Sequence, residues 1–557
     1  MALAVCAGAS AQNWQDALLF SENNYSGTAR GVGMGNALTA VGGDAGSLTF
    51  NPAGSAVAGY SQFMITPGLT ISSSSVGASP NLETNYMGNK VNGSSVGAKL
   101  PNLGFIVNMD TGKRSGLKRM SFGFVFNSSN NYTGKFDAAG RNDDNSFAAS
   151  LASSADGYSP DVLGSVDWYY SGDPARMPAW MDMVGYRAGL IDAVSGTDGT
   201  YIAITEIMDG SGNFRLGGPV FQRYGQRSYG SKNEALINFA MNFSDKFYLG
   251  ANLGITTLDY SLTEYWSEEP ENPSTFPSIE YDDGTSAVFN SLRMNHTYSV
   301  EGVGAYLKVG ALWRPAAGLR IGAAVQTPSV MNLRERYGYS ASVSLGGKSI
   351  NPSSSPEDDW NYAIRNPWRF NVGVAYSIGS MALVSADYEL ANYGTVRFGN
   401  NSADYGYKFN ESNFSDVNLD IADLLGVSHQ IRLGTEVRVT PEWSLRAGYN
   451  LTTGAQQNYL YDNGVTVDVK PLSQDVKNGL MRHVFSLGAG YSFGSVFIDV
   501  AARMRTAPSS YVTPYYYYYA PDASKFYEKV INLDVETPEV LVKEKFFDLL
   551  FTVGWRF

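Results

Sequence analysis

Two short strings, three histidines and one acidic stretch are the places where residue type and spacing in this chain suggest chemistry. Gly490-Tyr491-Ser492-Phe493-Gly494 has the form of a nucleophile elbow, in which a serine on a sharp strand-to-helix turn attacks an acyl carbon. Apolar and polar residues alternate on both sides of it, so Ser492 is expected at the end of a strand leading into another strand. An outer-membrane lipase would rest on Ser492 alone. Gly31-Val32-Gly33-Met34-Gly35 superficially suggests a nucleotide-binding loop, but Asn36 stands where the last glycine belongs and no strand–helix frame surrounds it. His296, His429 and His483 are far apart and lack metal-ligand spacing, which supports neither zinc chemistry nor a Ser–His dyad. Glu268, Glu269, Glu271, Glu280, Asp282 and Asp283 could offer carboxylate oxygens to calcium. They show no ordered spacing and read as a solvated loop. Neither an enzyme, a cofactor nor a metal site is expected.

The elements that would carry these residues are strands. In the last segment Phe547, Leu549, Phe551, Val553, Trp555 and Phe557 point one way while Asp548, Thr552, Gly554 and Arg556 point the other. A strand has a side-chain period of two, so one face is apolar and the other wet. Trp368, Phe370, Val372, Val374 and Tyr376 oppose Arg369, Asn371 and Gly373, and Trp443, Leu445, Ala447, Tyr449 and Leu451 oppose Ser444, Arg446, Gly448 and Asn450. The pattern predicts fourteen strands at 60–73, 97–110, 117–132, 228–243, 246–265, 292–313, 318–334, 366–378, 380–393, 427–440, 441–453, 478–493, 494–506 and 543–557. Their connections alternate between tight turns such as Ser244-Asp245-Lys246, Gly379 and Gly494 and long loops, the largest spanning 133–227. Short turns on the periplasmic side, long loops outside and aromatic residues at strand ends define an all-β, antiparallel transmembrane β-barrel of the bacterial outer membrane. Arg320, Gln326, Arg432, Glu436, Arg438, Arg482, Asp499 and Arg503 fall on the inward face and predict a polar lumen.

Composition agrees with this class. The 557 residues include 60 Gly, 36 Tyr and 28 Phe, and no apolar run approaches the ~18 residues that mark a membrane helix. Mean hydropathy is slightly negative because only alternate strand residues face lipid. A net charge of −12 is unfavourable for nucleic-acid binding. Residues 1–11 read as the end of a secretory signal with Ala9-Ser10-Ala11 before the cleavage site; a lipoprotein reading of Leu3-Ala4-Val5-Cys6 is the alternative. Removal of that segment takes away Cys6, the single cysteine, and with it any disulfide or thiol nucleophile.

Inside the long loop, Asp143, Asp144 and Asn145 could cap a short helix bearing Phe147 and Leu151. Trp180, Met183, Val184, Leu190, Ile191 and Val194 fall at helical spacing. Such a helix either caps the barrel mouth or lines a vestibule that captures ligand, Trp180, Met183, Val184 and Leu190 being the capture candidates. Tyr515 to Tyr519 either borders the same vestibule or forms part of an interfacial belt.

Eight strands fill their own interior, whereas about sixteen leave an aqueous channel, so a fourteen-strand barrel needs a plug. Residues 12–59 are the candidate. They are poor in large apolar residues, and nine glycines between Gly27 and Gly59 suit a compact irregular backbone. The segment contains Gly27-Thr28-Ala29-Arg30-Gly31, Gly35-Asn36-Ala37, Gly42-Gly43-Asp44-Ala45-Gly46 and Asn51-Pro52-Ala53. Over about residues 25–60 it resembles the N-terminal hatch of the FadL/TodX family of outer-membrane transporters for hydrophobic compounds. An apolar C-terminal strand closing on Phe557 also resembles the sorting signal of outer-membrane proteins.

The chain is expected to divide into a signal remnant over 1–11, a hatch over 12–59 and a barrel over 60–557. The resemblance implies a monomer in outer-membrane lipid that passively takes up small hydrophobic molecules such as long-chain fatty acids. It also implies that a kinked early strand, within 117–132, opens the wall sideways. Asn51, Pro52 and Ala53 would act as the hinge between hatch and wall, or simply as a turn entering the first strand. Asp44 would pair with lumen arginines and hold the plug, or sit in a surface turn. The alternative function is that of relatives acting in type IX secretion as cargo-binding shuttles, which would use the extracellular loops for protein partners.

Overall fold

A computed structural model of the chain describes residues 13–557 except 83, 85, 166–176, 198, 277, 281–285, 347, 402–407, 463–466 and 533. The signal reading of 1–11, with Cys6, and the acidic residues Asp282 and Asp283 lie outside the described residues.

Fourteen strands make the wall. They are β1 (Gln62–Ala78), β2 (Val91–Asp110), β3 (Leu117–Asn131), β4 (Val220–Phe243), β5 (Phe247–Pro270) and β6 (Ser286–Ala316). Two broken strands follow, β7 (Leu319–Gln326, then Val330–Leu345) and β8 (Asp358–Arg365, then Arg369–Ile378). The rest are β9 (Ala382–Asn392), β10 (Val427–Arg438), β11 (Trp443–Thr452), β12 (Arg482–Phe493), β13 (Val496–Thr506) and β14 (Val540–Arg556). Neighbours pair antiparallel, and β14 returns to β1 in the register Gln62↔Arg556 to Ala78↔Val540, which closes the barrel. Closure satisfies the edge groups that a bilayer could not. Tight turns use positive φ where the chain reverses in few residues, as at Ser244, Asp245 and Gly494.

The outer face is apolar and exposed, for example Phe122, Leu307, Val372 and Phe551, while the inner face holds buried polar groups such as Asn238, Glu389, Arg432 and Asp548. Among the described residues no helix is long and apolar enough to cross a membrane. This is a transmembrane β-barrel of the outer membrane, crossing with strands.

The wall differs from the sequence expectation mainly in height. β4 begins at Val220 rather than 228, β5 runs on to Pro270, and β6 starts at Ser286. These extensions carry charged residues outward, such as Arg223 and Arg227, and bury Tyr224, Trp266 and Phe289, so the apolar face lies opposite to that of the membrane part of the strands. The breaks in β7 and β8 come at Pro328 and Pro367, which lack the N–H a ladder needs. Arg438 ends exposed at the turn side of the barrel rather than in the lumen.

In the long loop, helix α3 (Phe147–Ala155) is capped by Ser146, whose side chain accepts from the Ala149 N–H, and not by Asp143, Asp144 or Asn145. After the short helix α4 (Pro160–Gly164), helix α5 (Trp180–Arg187) is shorter than the apolar spacing suggested. Gly189 takes a positive φ and the chain enters a short strand, Ile191–Ala193, so Leu190 and Ile191 lie beyond the helix.

The N-terminal segment fills the lumen. It comprises helices α1 (Trp14–Ser21) and α2 (Ala29–Gly33) and two 3-10 turns, Ala45–Thr49 and Pro52–Val57. Inward-facing glycines let it approach the wall: a methyl group on Gly250 would strike Pro52, on Gly310 Asn51, on Gly322 Thr39, on Gly434 Met34 and on Gly448 Gly35. The plug therefore meets the wall backbone to backbone on several sides. Replacing Gly310 or Gly448 with valine is expected to push the plug away while the strand still forms, since β-branched residues suit a strand. Single-channel recordings should show a several-fold higher conductance; unchanged conductance would mean that the wall yields instead.

Candidate functional site

The site is the contact between plug and wall. Cationic side chains of the wall donate to carbonyl oxygens of the plug: Lys232 Nζ to Phe20 (2.9 Å) and Glu22 (2.6 Å), Arg369 to Ser21 (2.7 Å), Arg503 to Tyr25 (2.8 Å) and Arg320 to Val41 (2.6 Å). Lys308 reaches the Thr49 carbonyl. Wall acceptors complete the set, with Asp387 taking the Thr39 N–H (2.7 Å) and Thr552 the Ala29 N–H (2.8 Å). A hydrogen bond to a charged group contributes about 1.5–3 kcal/mol, so the plug is bound all round its circumference.

Buried ion clusters fix two of these cations, Arg369 and Arg503, together with further cations of the wall. Asp548, fully buried, faces Lys99 (2.7 Å), Arg503 (2.9 Å) and Arg505 (2.9 Å). Glu389 holds Arg369 (3.0 Å) and Arg432. Glu436 joins Arg446 of the wall (2.6 Å) to Arg30 of the plug (2.8 Å), and Arg446 continues to Asp499 (2.6 Å). Arg482 pairs with Glu22 of the plug (2.5 Å).

Asp44 is buried within the plug, where it accepts from Thr28 Oγ1 and the Gly46 N–H, each at 2.8 Å. It therefore knots the plug to itself, while Arg30 and Glu22 make ion pairs to the wall. Asn51 Nδ2 donates to Thr39 (2.8 Å) and to Ala311 of β6 (2.9 Å), and its Oδ1 accepts from the Ala53 N–H (3.1 Å). Asn51, Pro52 and Ala53 thus start the 3-10 turn that seats against Gly250 and Gly310.

The wall is parted at β3. β2 pairs with β3 only from Asp110↔Arg119 to Asn102↔Asn127. Beyond that point β3 shifts register at Ser128/Asn130, and its continuation, Gly134–Asn142, pairs with β4 and crosses next to Ser74 of β1, whose Oγ donates to the Lys135 carbonyl (2.5 Å). The β3 edge that β2 gives up is taken by the plug: the Asn24 N–H donates to Ser129 (2.6 Å) and the Ser26 N–H to Ser128 (2.9 Å). Residues 91–101 of β2 pair with β1 alone and overlap the continuing wall as a lapped seam. On the lumen side of the kink lies a cavity of about 240 Å³, lined by Leu19, Glu22, Tyr132, Tyr260, Arg482 and Glu544 among others. Above α1 an aromatic cluster continues, with Tyr132, Tyr260 and Tyr298 in edge-to-face sequence.

The extracellular loops close the mouth. Trp180, Met183, Val184 and Leu190 are buried in one apolar core with Phe147, Leu151, Trp266 and Met294. Their surface is covered in this state, so ligand would reach them only if the cap opened. Tyr515 is buried in the same core and donates to Asn145 (2.8 Å). Glu268 is not a solvated loop residue: it is buried, and accepts from the Phe147 N–H at the start of α3 and from Gln222 (both 2.6 Å). Sequence spacing could not reveal that anchor because its partner lies 121 residues away.

Ser492 lies on β12, its N–H bonded to Glu442 across the turn, and among the described residues no cluster of acids, histidines or cysteines has metal-ligand geometry. His296 pairs with Glu264 (2.9 Å), His429 with the Tyr388 hydroxyl (2.6 Å) and His483 with the Tyr449 hydroxyl (2.9 Å).

A closed outer-membrane barrel with an occupied lumen and one lapped seam is the class that the geometry defines. No family model and no curated protein matches the sequence. Among solved structures, the chain is similar to the P. putida toluene transporter TodX, with 13% identity, a TM-score of 0.45 and coverage of 96% of this chain and 99% of that one. It is also similar to a Pseudomonas aeruginosa FadL homologue, with 12% identity, a TM-score of 0.47 and coverage of 96% and 98%. For the Ralstonia pickettii toluene transporter TbuX the values are 12%, 0.45, 97% and 100%. Likeness this low identifies no function.

The cap carries a titratable contact. Burial pushes Asp182 of α5 up to about 6, although Ser154 donates to it (2.7 Å) and Lys529 lies nearby. Burial also pulls Lys529 down to about 8, which leaves it charged across the acid range. An acid whose folded value is raised stabilises the fold fully below its unfolded value near 4, and that stability is lost as pH rises through 6. A two-unit shift corresponds to at most about 3 kcal/mol. Amides of residues 180–190, corrected for intrinsic rate, should exchange faster at pH 7 than at pH 4. The Asp182→Asn variant should reduce that difference, and the remainder belongs to Glu268, which burial in the same core pushes up to about 7.

Proposed function

We propose that the chain is a passive, hatch-gated channel of the FadL/TodX kind that takes up small hydrophobic molecules, with long-chain fatty acids as the preferred ligand. The observation that carries this reading is the seam: β2 leaves β3 where the plug residues Asn24 and Ser26 substitute for it, next to a lumen cavity. A shift of these plug residues would change lumen and wall together. A cavity of about 240 Å³ is smaller than the ~300–1,000 Å³ usual for a drug-sized ligand, so α1 must move for a whole ligand to enter. Each buried CH₂ stabilises the bound state by about 0.8 kcal/mol, which favours long acyl chains. In this reading Asp44 keeps the plug rigid, Asn51, Pro52 and Ala53 form its pivot, and Trp180, Met183, Val184 and Leu190 meet ligand when the cap opens. The chain works as a monomer.

A second reading, a protein-binding shuttle of the type IX secretion kind, is favoured by the extracellular hairpin Asn458–Asp462 with Val467–Pro471, where Val467 and Val469 are exposed.

The seam can be locked. A Cβ on Gly97 would lie 3.6 Å from Thr133 Oγ1, close enough for a disulfide in the Gly97→Cys, Thr133→Cys double variant. Oxidation should cut oleate uptake by cells at least fivefold, and a reductant should restore it. Toluene uptake that falls while oleate uptake never occurred would reassign the ligand. Uptake indifferent to oxidation, with a protein retained on the loops, would favour the shuttle.

A further inference from the structure

Above its last pairing with β3, β2 is an edge strand. Residues 91–100 have β1 as their one ladder partner among the described residues, whereas the wall below them is paired on both sides. The parting point is built as a joint. Thr66 of β1 faces Asn102 and Gly68 faces Lys99, so Leu100 and Pro101 stand opposite the single residue Pro67. Neither proline can donate to a ladder, and a bulge bends the strand that carries it. The joint is also tight: a Cβ on Gly68 would lie 3.0 Å from Pro101 and 3.1 Å from the Leu549 carbonyl of β14.

Lys99 is the first residue above the joint, and its side chain reaches past β1 on the lumen side. Nζ donates to Oδ1 of Asp548 on β14 (2.7 Å), the same oxygen that accepts from Thr70 Oγ1 of β1 (2.6 Å). The edge strand is thereby braced to the second strand behind it. The other oxygen serves the plug: Oδ2 takes both Nε (3.0 Å) and Nη2 (2.9 Å) of Arg503, together with Arg505 Nε (2.9 Å). Arg503 Nη1 donates to the Tyr25 carbonyl (2.8 Å). Tyr25 lies between Asn24 and Ser26, whose N–H groups hold the vacated edge of β3 at Ser129 and Ser128. One chain of contacts thus runs from the β2 lip of the seam through Lys99, Asp548, Arg503 and Tyr25 to the β3 lip.

Three cations share one buried carboxylate, and the plug decides how they share it. With the plug seated, the Tyr25 carbonyl holds one end of the Arg503 guanidinium, and the rest of it crowds onto Oδ2 alone. When Tyr25 withdraws, Arg503 Nη1 loses its acceptor, and a buried N–H left unsatisfied is costly. A guanidinium meets a carboxylate best as a fork on both oxygens, and Oδ1 is the one that Lys99 holds. In that competition the ammonium gives way, because it is a point charge that water hydrates strongly.

We propose that Lys99 is the positioning residue through which the seated plug keeps the seam closed. Withdrawal of Tyr25 lets Arg503 fork onto Asp548, Lys99 is released, and the edge strand swings at the Leu100–Pro101 joint. The proposal rests on hatch-gated uptake and adds the route by which the position of the plug reaches the β2 side of the wall.

Hydrogen exchange of the full chain in detergent, read over residues 91–100, tests it. The N24P/S26P variant takes both N–H donors from the plug and should speed exchange of this stretch at least tenfold. K99M alone should speed it as much, and adding N24P/S26P to K99M should then change it less than threefold, since coupled sites are not additive. K99R keeps the charge and the donors, and should restore the protection. Heat-modifiable gel migration checks that each barrel is folded; where K99M does not fold, K99Q takes its place. Exchange over 91–100 that ignores N24P/S26P, or that responds to it equally with and without Lys99, would overturn the proposal and leave Lys99 a local brace. Oleate uptake by cells keeps the two readings apart: a wild type that takes up none sinks hatch-gated uptake, whereas normal uptake with uncoupled exchange sinks only the role of Lys99.

Discussion

The plug is held by its backbone. Lys232, Lys308, Arg320, Arg369 and Arg503 each reach inward to a carbonyl oxygen of residues 20–49, and glycines such as Gly250 and Gly448 let the two backbones touch. This arrangement resolves a problem set by the lumen. A segment with few large apolar residues gains little from burying its side chains, yet its carbonyl groups must be satisfied once water is excluded. Cations on a rigid wall satisfy them, and wall carboxylates pair with two of those cations, Glu389 with Arg369 and Asp548 with Arg503. Removing Asp548 would leave Lys99, Arg503 and Arg505 without their shared partner, so the ion clusters and the plug stand together.

The same logic explains the seam. A strand that leaves its neighbour exposes a row of N–H and C=O groups, which a membrane barrel does not tolerate toward lipid. At β3 the released edge turns inward, where Asn24 and Ser26 of the plug satisfy it. The opening in the wall and the seating of the plug are therefore one hydrogen-bonded arrangement. Any motion that frees the plug also frees the edge of β3.

The extracellular cap follows different physics. Its core, with Phe147, Trp180, Met183, Leu190 and Trp266, is an ordinary apolar cluster, placed so that loops far apart in sequence seal the mouth. Glu268 and Asp182 are carboxylates buried in it, one anchoring the start of α3 and the other within α5.

The sequence by itself determined the barrel: alternation over Phe547–Phe557 and Trp368–Tyr376, together with short turns such as Gly494, specified strand number, order and facing, because those depend on a local period of two. It also marked residues 12–59 as the plug through their glycine content. Three things were decided only by the tertiary structure. The wall extensions of β4 to β6 escaped the pattern because the apolar face changes sides there: Tyr224, Trp266 and Phe289 are buried in the cap while Arg223 and Arg227 face outward. The partners of Glu268 and the lumen arginines lie up to several hundred residues away, and Asp44 turns to Thr28 and Gly46 of its own segment rather than to a lumen arginine. The burial of Trp180, Met183, Val184 and Leu190 depends on whether other loops cover them, and an apolar face has the same spacing whether it meets a ligand or a neighbouring loop.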